Sequence, residues 1–202
     1  MRSTERTRLA PAERRGAIVA AALSVLDDGA GDEGAGPPVA AVARRAGISE
    51  ALVYHYFPTK ADLFAAAVAT RLAERAERVA GAWAGINGAP AREYMRIAVE
   101  AHLDHVAAHP SAWSHTLGTL GSEAAPARAA RQAARADYLE AVALHLQPDP
   151  RPQRAYALAG HVAVLDGVAH HWVERGLPAH ERDPLPTLVI DALQGSLGDW
   201  GR

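Results

Sequence analysis

The sequence predicts an all-α protein in which a small three-helix head is joined through a long helix to a larger helical body. Apolar residues make up 49% of the 202 residues, and alanine is the commonest of them. β-branched and aromatic residues are sparse and seldom alternate as strands require, whereas apolar residues recur at helical spacing between breaks rich in Gly and Pro. This composition favours closely packed helices.

The head begins with a predicted helix over about residues 12–27, whose apolar side chains form one stripe. The stretch 27–38 is rich in glycine and acidic residues and cannot continue that helix, so we expect a loop there. Pro37 and Pro38 then open a short second helix over residues 39–46, because a proline costs little at a helix start.

A turn and a third helix follow the second helix. Gly47 suits a helix end because glycine adopts a positive φ readily, and Ser49 is placed to cap the next helix. Pro58 ends that helix after about two turns, and Thr59 caps a long helix that begins at Lys60. Helix, three-residue turn and helix make a helix-turn-helix, the arrangement that lets its second helix enter a DNA major groove.

The rest of the chain divides at its Gly- and Pro-rich breaks into several further helices. The predicted helices cover residues 91–108, 111–119, 126–147, 152–175 and 185–200. They contain no internal repeat, so a head and one larger body is the natural division.

Charge and composition limit the possible functions. The chain has 21 Lys and Arg against 23 Asp and Glu, so nucleic-acid binding needs a local basic patch rather than a basic whole. Cysteine is absent, which excludes disulfides, thiolate metal sites and a cysteine nucleophile. The first apolar run, residues 17–26, is too short to span a bilayer, and a cytoplasmic protein with no membrane partner is expected.

Residues 43–64 read ARRAGISEALVYHYFPTKADLF. This stretch resembles the DNA-binding head of the tetracycline-repressor (TetR) family of transcriptional regulators, and the resemblance extends over about residues 12–80. The body matches that family only in length and helix count. The positions that carry the resemblance are Ala46, Gly47, Ile48, Ser49, Val53, Tyr54, Tyr56, Phe57, Lys60 and Leu63.

The resemblance implies a helix-turn-helix DNA-binding domain with a basic N-terminal arm over residues 1–60. It implies a helical effector-binding and dimerisation domain over residues 61–202. The expected protein is a homodimeric, ligand-responsive regulator, typically a repressor, that binds a (pseudo)palindromic double-stranded DNA operator and is released by a small, mostly apolar effector. No cofactor, no metal and no enzymatic activity are expected.

The third helix divides into an inner and an outer face. Val53 and Phe57, four residues apart, face the core of the head with Ile48, which leaves Tyr54 and His55 facing outward. An exposed tyrosine offers its ring to a thymine methyl and its hydroxyl to a phosphate. By resemblance, the DNA-binding residues are Ser49, Glu50, Ala51, Leu52, Tyr54, His55, Tyr56 and Lys60, with phosphate contacts at Tyr56 and Lys60.

Some features of the head depart from the family pattern. A carboxylate at Glu50 can only accept a hydrogen bond from a base, which favours a cytosine amino group. The acidic residues of the 27–38 loop are repelled by DNA if they turn towards it, and Pro37, Pro38 and Val39 replace the usual hydroxyl residues. The basic residues that compensate on the arm and first turn are Arg2, Arg6, Arg8, Arg14 and Arg15, set against Glu5 and Glu13.

The body is expected to hold a ligand pocket and a dimer face. Inward-facing aromatic and polar groups suit a pocket, and the candidates are His102, His105, Trp113, Leu117, Tyr138, His161 and Leu165. Small side chains at four-residue spacing permit close helix approach between two copies of a helix pair. The candidate interface residues are Ala159, Ala163, Val164, Gly167, Val168, Leu188, Ala192 and Leu193.

Two alternatives stay open at this point. The body contains nine of the ten histidines, and His102, His105 and His109 have loosely metal-ligand spacing, so a helical metalloprotein or metalloenzyme is one alternative. No HExxH motif accompanies them. The other alternative is a protein-interaction module, because the head has little local charge and Glu50 repels phosphate.

Overall fold

The computed structural model describes residues 9–29, 36–112, 123–146 and 149–198. Within these ranges the secondary structure is helical and includes no β-strand, which confirms the all-α prediction. The head and the long connecting helix comprise α1 (Pro11–Asp27), α2 (Val39–Ala46), α3 (Glu50–Tyr56) and α4 (Lys60–Trp83). The body comprises α5 (Ala91–Ala108), α6 (Ala125–Ala143), α7 (Pro152–Glu174), α8 (Ala179–Arg182) and α9 (Leu185–Leu197).

Most helix ends lie within a few residues of their predicted positions. The predicted helix over 111–119 begins in a single 3-10 turn, Pro110–Ala112, and the rest of it lies outside the described residues. The sequence missed α8 because four residues between Gly- and Pro-rich stretches show no apolar period. Among the helices that the structure describes, none has the length and apolarity needed to cross a membrane.

The head is built around one apolar core that α1 to α4 share. Burying a large apolar side chain contributes about 1.5–3 kcal/mol, so this small core can fix the position of a helix as short as α3. Its large, almost fully buried side chains are Ile18, Val25, Val42, Val53, Phe57 and Leu63.

Helix α4 belongs to both parts of the molecule. It has 24 residues, a length of about 36 Å at 1.5 Å per residue. Leu63 and Ala67 pack in the head core, whereas Val79 packs with α5 in the body. Head and body are therefore joined by one continuous helix, and the boundary at residue 60 stays a prediction.

The body packs around α5, which contacts α4, α7 and α9. Met95, Val99 and Leu103 of α5 are fully buried there. The same interior contains three buried histidines, His102, His105 and His161. These histidines form a polar region inside an otherwise apolar core. Burying a polar group is costly unless it is hydrogen-bonded.

Gly36 lies in close contact with α4, and replacing it with alanine is expected to destabilise the head. Its φ is +82°, and a Cβ at this position lies 2.6 Å from the Phe64 Cβ. Alanine is strained in this left-handed backbone conformation, and its methyl group overpacks against Phe64. Together the two effects are expected to lower the free energy of unfolding by roughly 2–4 kcal/mol. Urea unfolding followed by circular dichroism measures the change.

Gly47→Ala is the matched control for this prediction. Gly47 has a φ of +65°, and a Cβ added there meets no side chain of the described residues within 4 Å. Only the conformational cost of about 1 kcal/mol therefore applies. Equal costs for the two variants would show that Gly36 and Phe64 are not in contact in solution.

Candidate nucleic-acid interface and body cavity

The turn between α2 and α3 is fixed by backbone hydrogen bonds. Gly47 adopts φ 65° and ψ 36°, the left-handed conformation, and ends α2. The N–H of Ile48 donates to the carbonyl oxygen of Ala43 at 3.0 Å, so the chain reverses without a long loop. This turn sets the angle at which α3 leaves α2.

Helix α3 is held at both ends and along its inner face. The Ser49 hydroxyl accepts a hydrogen bond from the N–H of Leu52 at 3.2 Å, which caps the helix start. The Phe57 N–H donates to the Val53 carbonyl at 2.9 Å in the last turn. Val53 and Phe57 are 1% and 2% exposed, so the head core fixes the rotation of α3 about its own axis.

The outer face of α3 is open to solvent. Tyr54 is 46% exposed, which is unusual for a large aromatic side chain. His55 contacts Tyr56 edge to face, with 5.3 Å between ring centroids. The other predicted DNA-binding residues are placed as follows: Ser49, Glu50, Ala51 and His55 are exposed, and Leu52, Tyr56 and Lys60 are half-buried.

The start of α4 lies directly after α3. The Asp62 N–H donates to the Thr59 hydroxyl at 3.1 Å, and the Thr59 N–H donates to the Asp62 carboxylate at 3.0 Å, which together form a capping box. Lys60 is the first residue of this helix. A helix N-terminus with a lysine beside it favours a phosphate group.

The acidic residues at the end of α1 do not face α3 freely. Asp28 is ion-paired with Arg45 of α2, and Asp27 with Arg71 of α4. Asp32 and Glu33 lie outside the described residues, as do Arg2, Glu5, Arg6 and Arg8 of the arm. These ion pairs reduce the repulsion between the loop carboxylates and DNA phosphates. The guanidinium of Arg45 is then paired within the head and is less available to a phosphate.

Arg71 links the head to the body, a role that the sequence did not indicate. Besides Asp27 it donates to the Glu74 carboxylate at 2.9 Å, and it lies 3.3 Å from Nε2 of His109 at the end of α5. The Asp27 carboxylate is 3.7 Å from Nδ1 of the same histidine. Partners this far apart in sequence leave no local pattern, so only the fold brings them together.

A cavity of about 450 Å³ lies between α4 and α6. Its volume is within the range of small-molecule sites. Tyr138 is the predicted pocket residue that lines it; Trp113 and Leu117 lie outside the described residues. The lining residues are Arg75, Asp137 and Tyr138, together with Leu72, Val79, Trp83 and alanines of both helices.

The other predicted pocket residues lie elsewhere in the body. His102, His105, His161 and Leu165 are 1–2% exposed and do not line this cavity, because their helices turn them into the core instead. Burial lowers the pKa of His105 and of His161 to about 4, and it lowers the pKa of His102 well below its ordinary value. These imidazoles are therefore neutral at pH 7.

The cavity borders a polar cluster that contains a half-buried arginine. The Arg75 Cζ lies 5.8 Å from the centroid of the Tyr138 ring, and the Tyr138 hydroxyl lies 3.2 Å from Nε2 of His161. Burial is the main cause that lowers the pKa of Arg75 and raises that of Asp166. The sequence offered no signal for Arg75, since a single arginine on a helix is usually solvated.

The predicted interface residues divide by exposure. Ala159, Ala163 and Leu188 are exposed, and Val164, Gly167, Val168 and Ala192 are half-buried. Leu193 is a correction: it is 1% exposed within its own body core, so it has no area left for a partner. Tyr156, 79% exposed on α7, is a large apolar residue that the prediction omitted.

In the described part of the chain, no group of three or more His, Asp or Glu side chains is arranged to hold a metal ion. His105 and His109 of the predicted spacing do lie near each other, with 5.1 Å between ring centroids. Two neighbouring imidazoles do not complete the three or four ligands that zinc requires, so the geometry gives the metal alternative no support.

The fold is shared with solved structures of bacterial regulators. A tetR-family transcriptional regulator from Streptomyces coelicolor is 21% identical, with a TM-score of 0.73 over 94% of this chain and 81% of that one. A TetR-like regulator from Rhodococcus sp. RHA1 is 26% identical, with a TM-score of 0.69 over 95% and 100%. The regulator FadR from Bacillus subtilis, crystallised with stearoyl-CoA, is 17% identical, with a TM-score of 0.65 over 90% and 96%.

A capped short helix with an open outer face, carried on a small helical head, defines the class of helix-turn-helix DNA-binding proteins. The family model for bacterial regulatory proteins of the tetR family matches residues 35–67, which include the whole of this motif. In this head the chain is similar to transcriptional regulators of the tetR family, and the whole fold is similar to those neighbours. That family and these neighbours are regulators rather than enzymes, and no curated protein matches the chain.

Proposed function

We propose that this regulator is a ligand-responsive repressor in the cytoplasm that binds a (pseudo)palindromic operator as a homodimer. A small, mostly apolar effector in the α4–α6 cavity releases it from DNA. The observation that carries the proposal is the outer face of α3, where Glu50, Tyr54 and His55 are exposed while Val53 and Phe57 anchor the helix.

Recognition of the operator is assigned to this face. Tyr54 supplies apolar contact to a thymine methyl, and Glu50 accepts from a cytosine amino group. Lys60 and the N-terminus of α4 hold a phosphate, which sets the register of the head on the duplex. Ser49, Ala51, Leu52, His55 and Tyr56 complete the predicted contact set.

Dimerisation is assigned to the outer surface of α7 and α9. Exposed Ala159, Gly160 and Ala163 allow a partner helix to approach closely, and Tyr156 and Leu188 offer large apolar side chains beside them. Two heads are needed because a palindromic operator presents two half-sites about one helical turn or more apart.

Release is assigned to α4, because the same helix lines the cavity and enters the head core. A ligand between α4 and α6 shifts α4 if its affinity differs between the two positions of that helix. The Arg71–Asp27 pair ties the end of α1 to this movement. The coupling is reciprocal, so the operator complex must bind the effector less tightly than the free protein does.

The test is a fluorescence-anisotropy titration of the purified protein against duplexes from the DNA flanking its own gene, with a scrambled duplex alongside, at two salt concentrations. The proposal expects saturable, sequence-dependent binding of two protomers per duplex. A protein that binds no duplex even at low salt, but retains its fold, would instead favour the protein-interaction alternative. Stoichiometric bound metal, lost in His102→Ala, would favour the metalloprotein.

Two substitutions separate base recognition from phosphate binding. Tyr54→Ala is expected to weaken binding to the preferred operator about 10- to 100-fold and to reduce discrimination against the scrambled duplex. Lys60→Ala is expected to weaken binding to all sequences similarly and to lower the salt slope by about one unit. Both are measured in the same titration.

Arg128→Ala is the matched control for charge. It removes one positive charge from α6, far along the chain from the head, and is expected to leave the affinity and the salt slope nearly unchanged. If Tyr54→Ala and Lys60→Ala also left operator binding unchanged, α3 would not be the recognition helix.

A further inference from the structure

The α4–α6 cavity is long and has apolar walls. Its α4 side runs from Ala69 to Trp83, about 21 Å at 1.5 Å per residue. Between Arg75 and Trp83 that wall extends about 12 Å. Apolar walls of this length bury an elongated apolar group better than a compact polar one, because burial is favourable in proportion to apolar area.

Arg75 gives the cavity a half-buried, partly desolvated cation. The guanidinium has five N–H donors in a planar fork that matches a carboxylate. Three arginines, Arg75, Arg131 and Arg135, act on the half-buried carboxylate of Asp166. Arg131 also pairs with Glu123 at 2.8 Å, so these three arginines and two carboxylates together carry one positive charge in excess. Asp137, the lining carboxylate, is exposed, where water screens it.

Tyr138 gives the cavity a second donor, because the histidine behind it occupies the acceptor side of its hydroxyl. Nδ1 of His161 is buried and has no hydrogen-bond partner among the described residues. A buried N–H without an acceptor is costly, so we place the proton of this neutral imidazole on Nε2. Nε2–H then donates to the Tyr138 oxygen at 3.2 Å, which leaves the Tyr138 O–H free to donate towards the cavity.

We propose that this cavity binds an organic monoanion with an elongated apolar body, of which a medium-chain carboxylate is the simplest example. The carboxylate accepts hydrogen bonds from Arg75 and from the Tyr138 hydroxyl, and the chain lies along the alanines of α4 and α6 towards Trp83. This inference rests on the proposed function, because it names the chemical class of the effector for the same site.

The first experiment varies the charge of the probe and leaves the protein unchanged. Decanoate, 1-decanol and decyltrimethylammonium are titrated into the DNA-free protein by isothermal calorimetry, below their micelle concentrations. Decanoate is expected to bind at least tenfold more tightly than decanol, because charge-assisted hydrogen bonds are the stronger kind. The cation is expected not to bind. Equal affinities for decanoate and decanol would overturn the proposal.

Variants then locate the binding. Arg75→Met is expected to lose at least tenfold in decanoate affinity while the decanol affinity is retained. Tyr138→Phe removes one hydroxyl, keeps the ring, and is expected to lose about three- to tenfold for decanoate alone. Arg78→Met, on the same helix but outside the cavity lining, is the control and should bind decanoate as the parent does. If Arg78→Met and Arg75→Met lost affinity equally, the anchor would not be Arg75.

The outcomes separate this inference from the proposed function. Decanoate that binds the free protein but leaves the operator complex intact supports the ligand class and contradicts the effector role of the cavity. Release of the operator by another compound, with no binding of decanoate, preserves the effector role and overturns the ligand class. Release by decanoate that is lost in Arg75→Met supports both.

Discussion

Phe57→Ala is expected to lower the free energy of unfolding of the head by about 3–5 kcal/mol and to abolish operator binding. The ring is 2% exposed and packs in the core that α1 to α4 share, and the guanidinium of Arg15 lies 4.7 Å from its centroid. Truncation leaves a cavity where α3 meets α4, and it removes the contact that fixes the rotation of α3. In a core of this size, few single substitutions are expected to lower the free energy of unfolding by more.

Hydrogen exchange resolves this effect from the stability of the body. Amides of residues 11–57 are expected to exchange faster in Phe57→Ala, while amides of α5 and α9 keep their protection. Tyr54→Ala is the matched control, because Tyr54 is exposed and its loss should change stability by no more than about 0.5 kcal/mol. If Tyr54→Ala also increased exchange throughout the head, its ring would be part of the core rather than of the DNA interface.

Lowering the pH from 6.5 to 5 is expected to destabilise the body progressively. Burial lowers the folded-state pKa of His105 and His161 to about 4, whereas the unfolded chain takes up these protons near pH 6.5. The unfolded state thus binds more protons between these values, and stability falls as the pH falls. Each buried histidine contributes a slope of about 1.4 kcal/mol per pH unit inside this window.

Most of the neighbouring charges act on the histidine pKa values in the same direction as burial. Arg75 and Arg71 of α4 oppose protonation of the α5 histidines, and Glu74 weakly favours it at His105. Asp166 of α7 acts in the opposite direction, because burial raises its pKa and the folded state then takes up a proton more readily on acidification. Urea unfolding between pH 7 and pH 5 measures the net slope of these opposing contributions.

His161→Gln tests the assignment to a particular residue. This variant is expected to reduce the slope of stability against pH by about 1.4 kcal/mol per unit, because glutamine does not titrate. His180→Gln, at an exposed position in α8, is the control and should leave the slope as in the parent. An unchanged slope in His161→Gln would mean that solvent reaches this imidazole in the folded state.

The helix-turn-helix could be predicted from sequence because its determinants are local. Gly47 must be small to adopt a positive φ, Ser49 caps within three residues, and Val53 and Phe57 face inward by helical periodicity alone. The structure places each of them as these rules require. Tyr54 then faces outward simply because it follows Val53 in the helix.

The body was less predictable, because its site depends on which helix faces which. Helical spacing indicated that His102, His105 and His161 face inward, and all three are buried. The cavity, however, lies between α4 and α6, and these histidines do not line it. Arg75 and Trp83 were missed, since neither residue has a local partner that distinguishes it. The buried position of Leu193 likewise follows from the packing of α9 on α5 and α7.

The sequence by itself determined the helical class, most helix ends to within a few residues and the helix-turn-helix motif, because hydrogen bonds and side-chain periods within one or two turns decide them. Only the tertiary structure decided the Arg71 link between head and body, the α4–α6 cavity and its arginine, and the exposed surface of α7. These features depend on helices that are distant along the chain. Their physical cause is close packing, which the spacing of residues within a single helix does not encode.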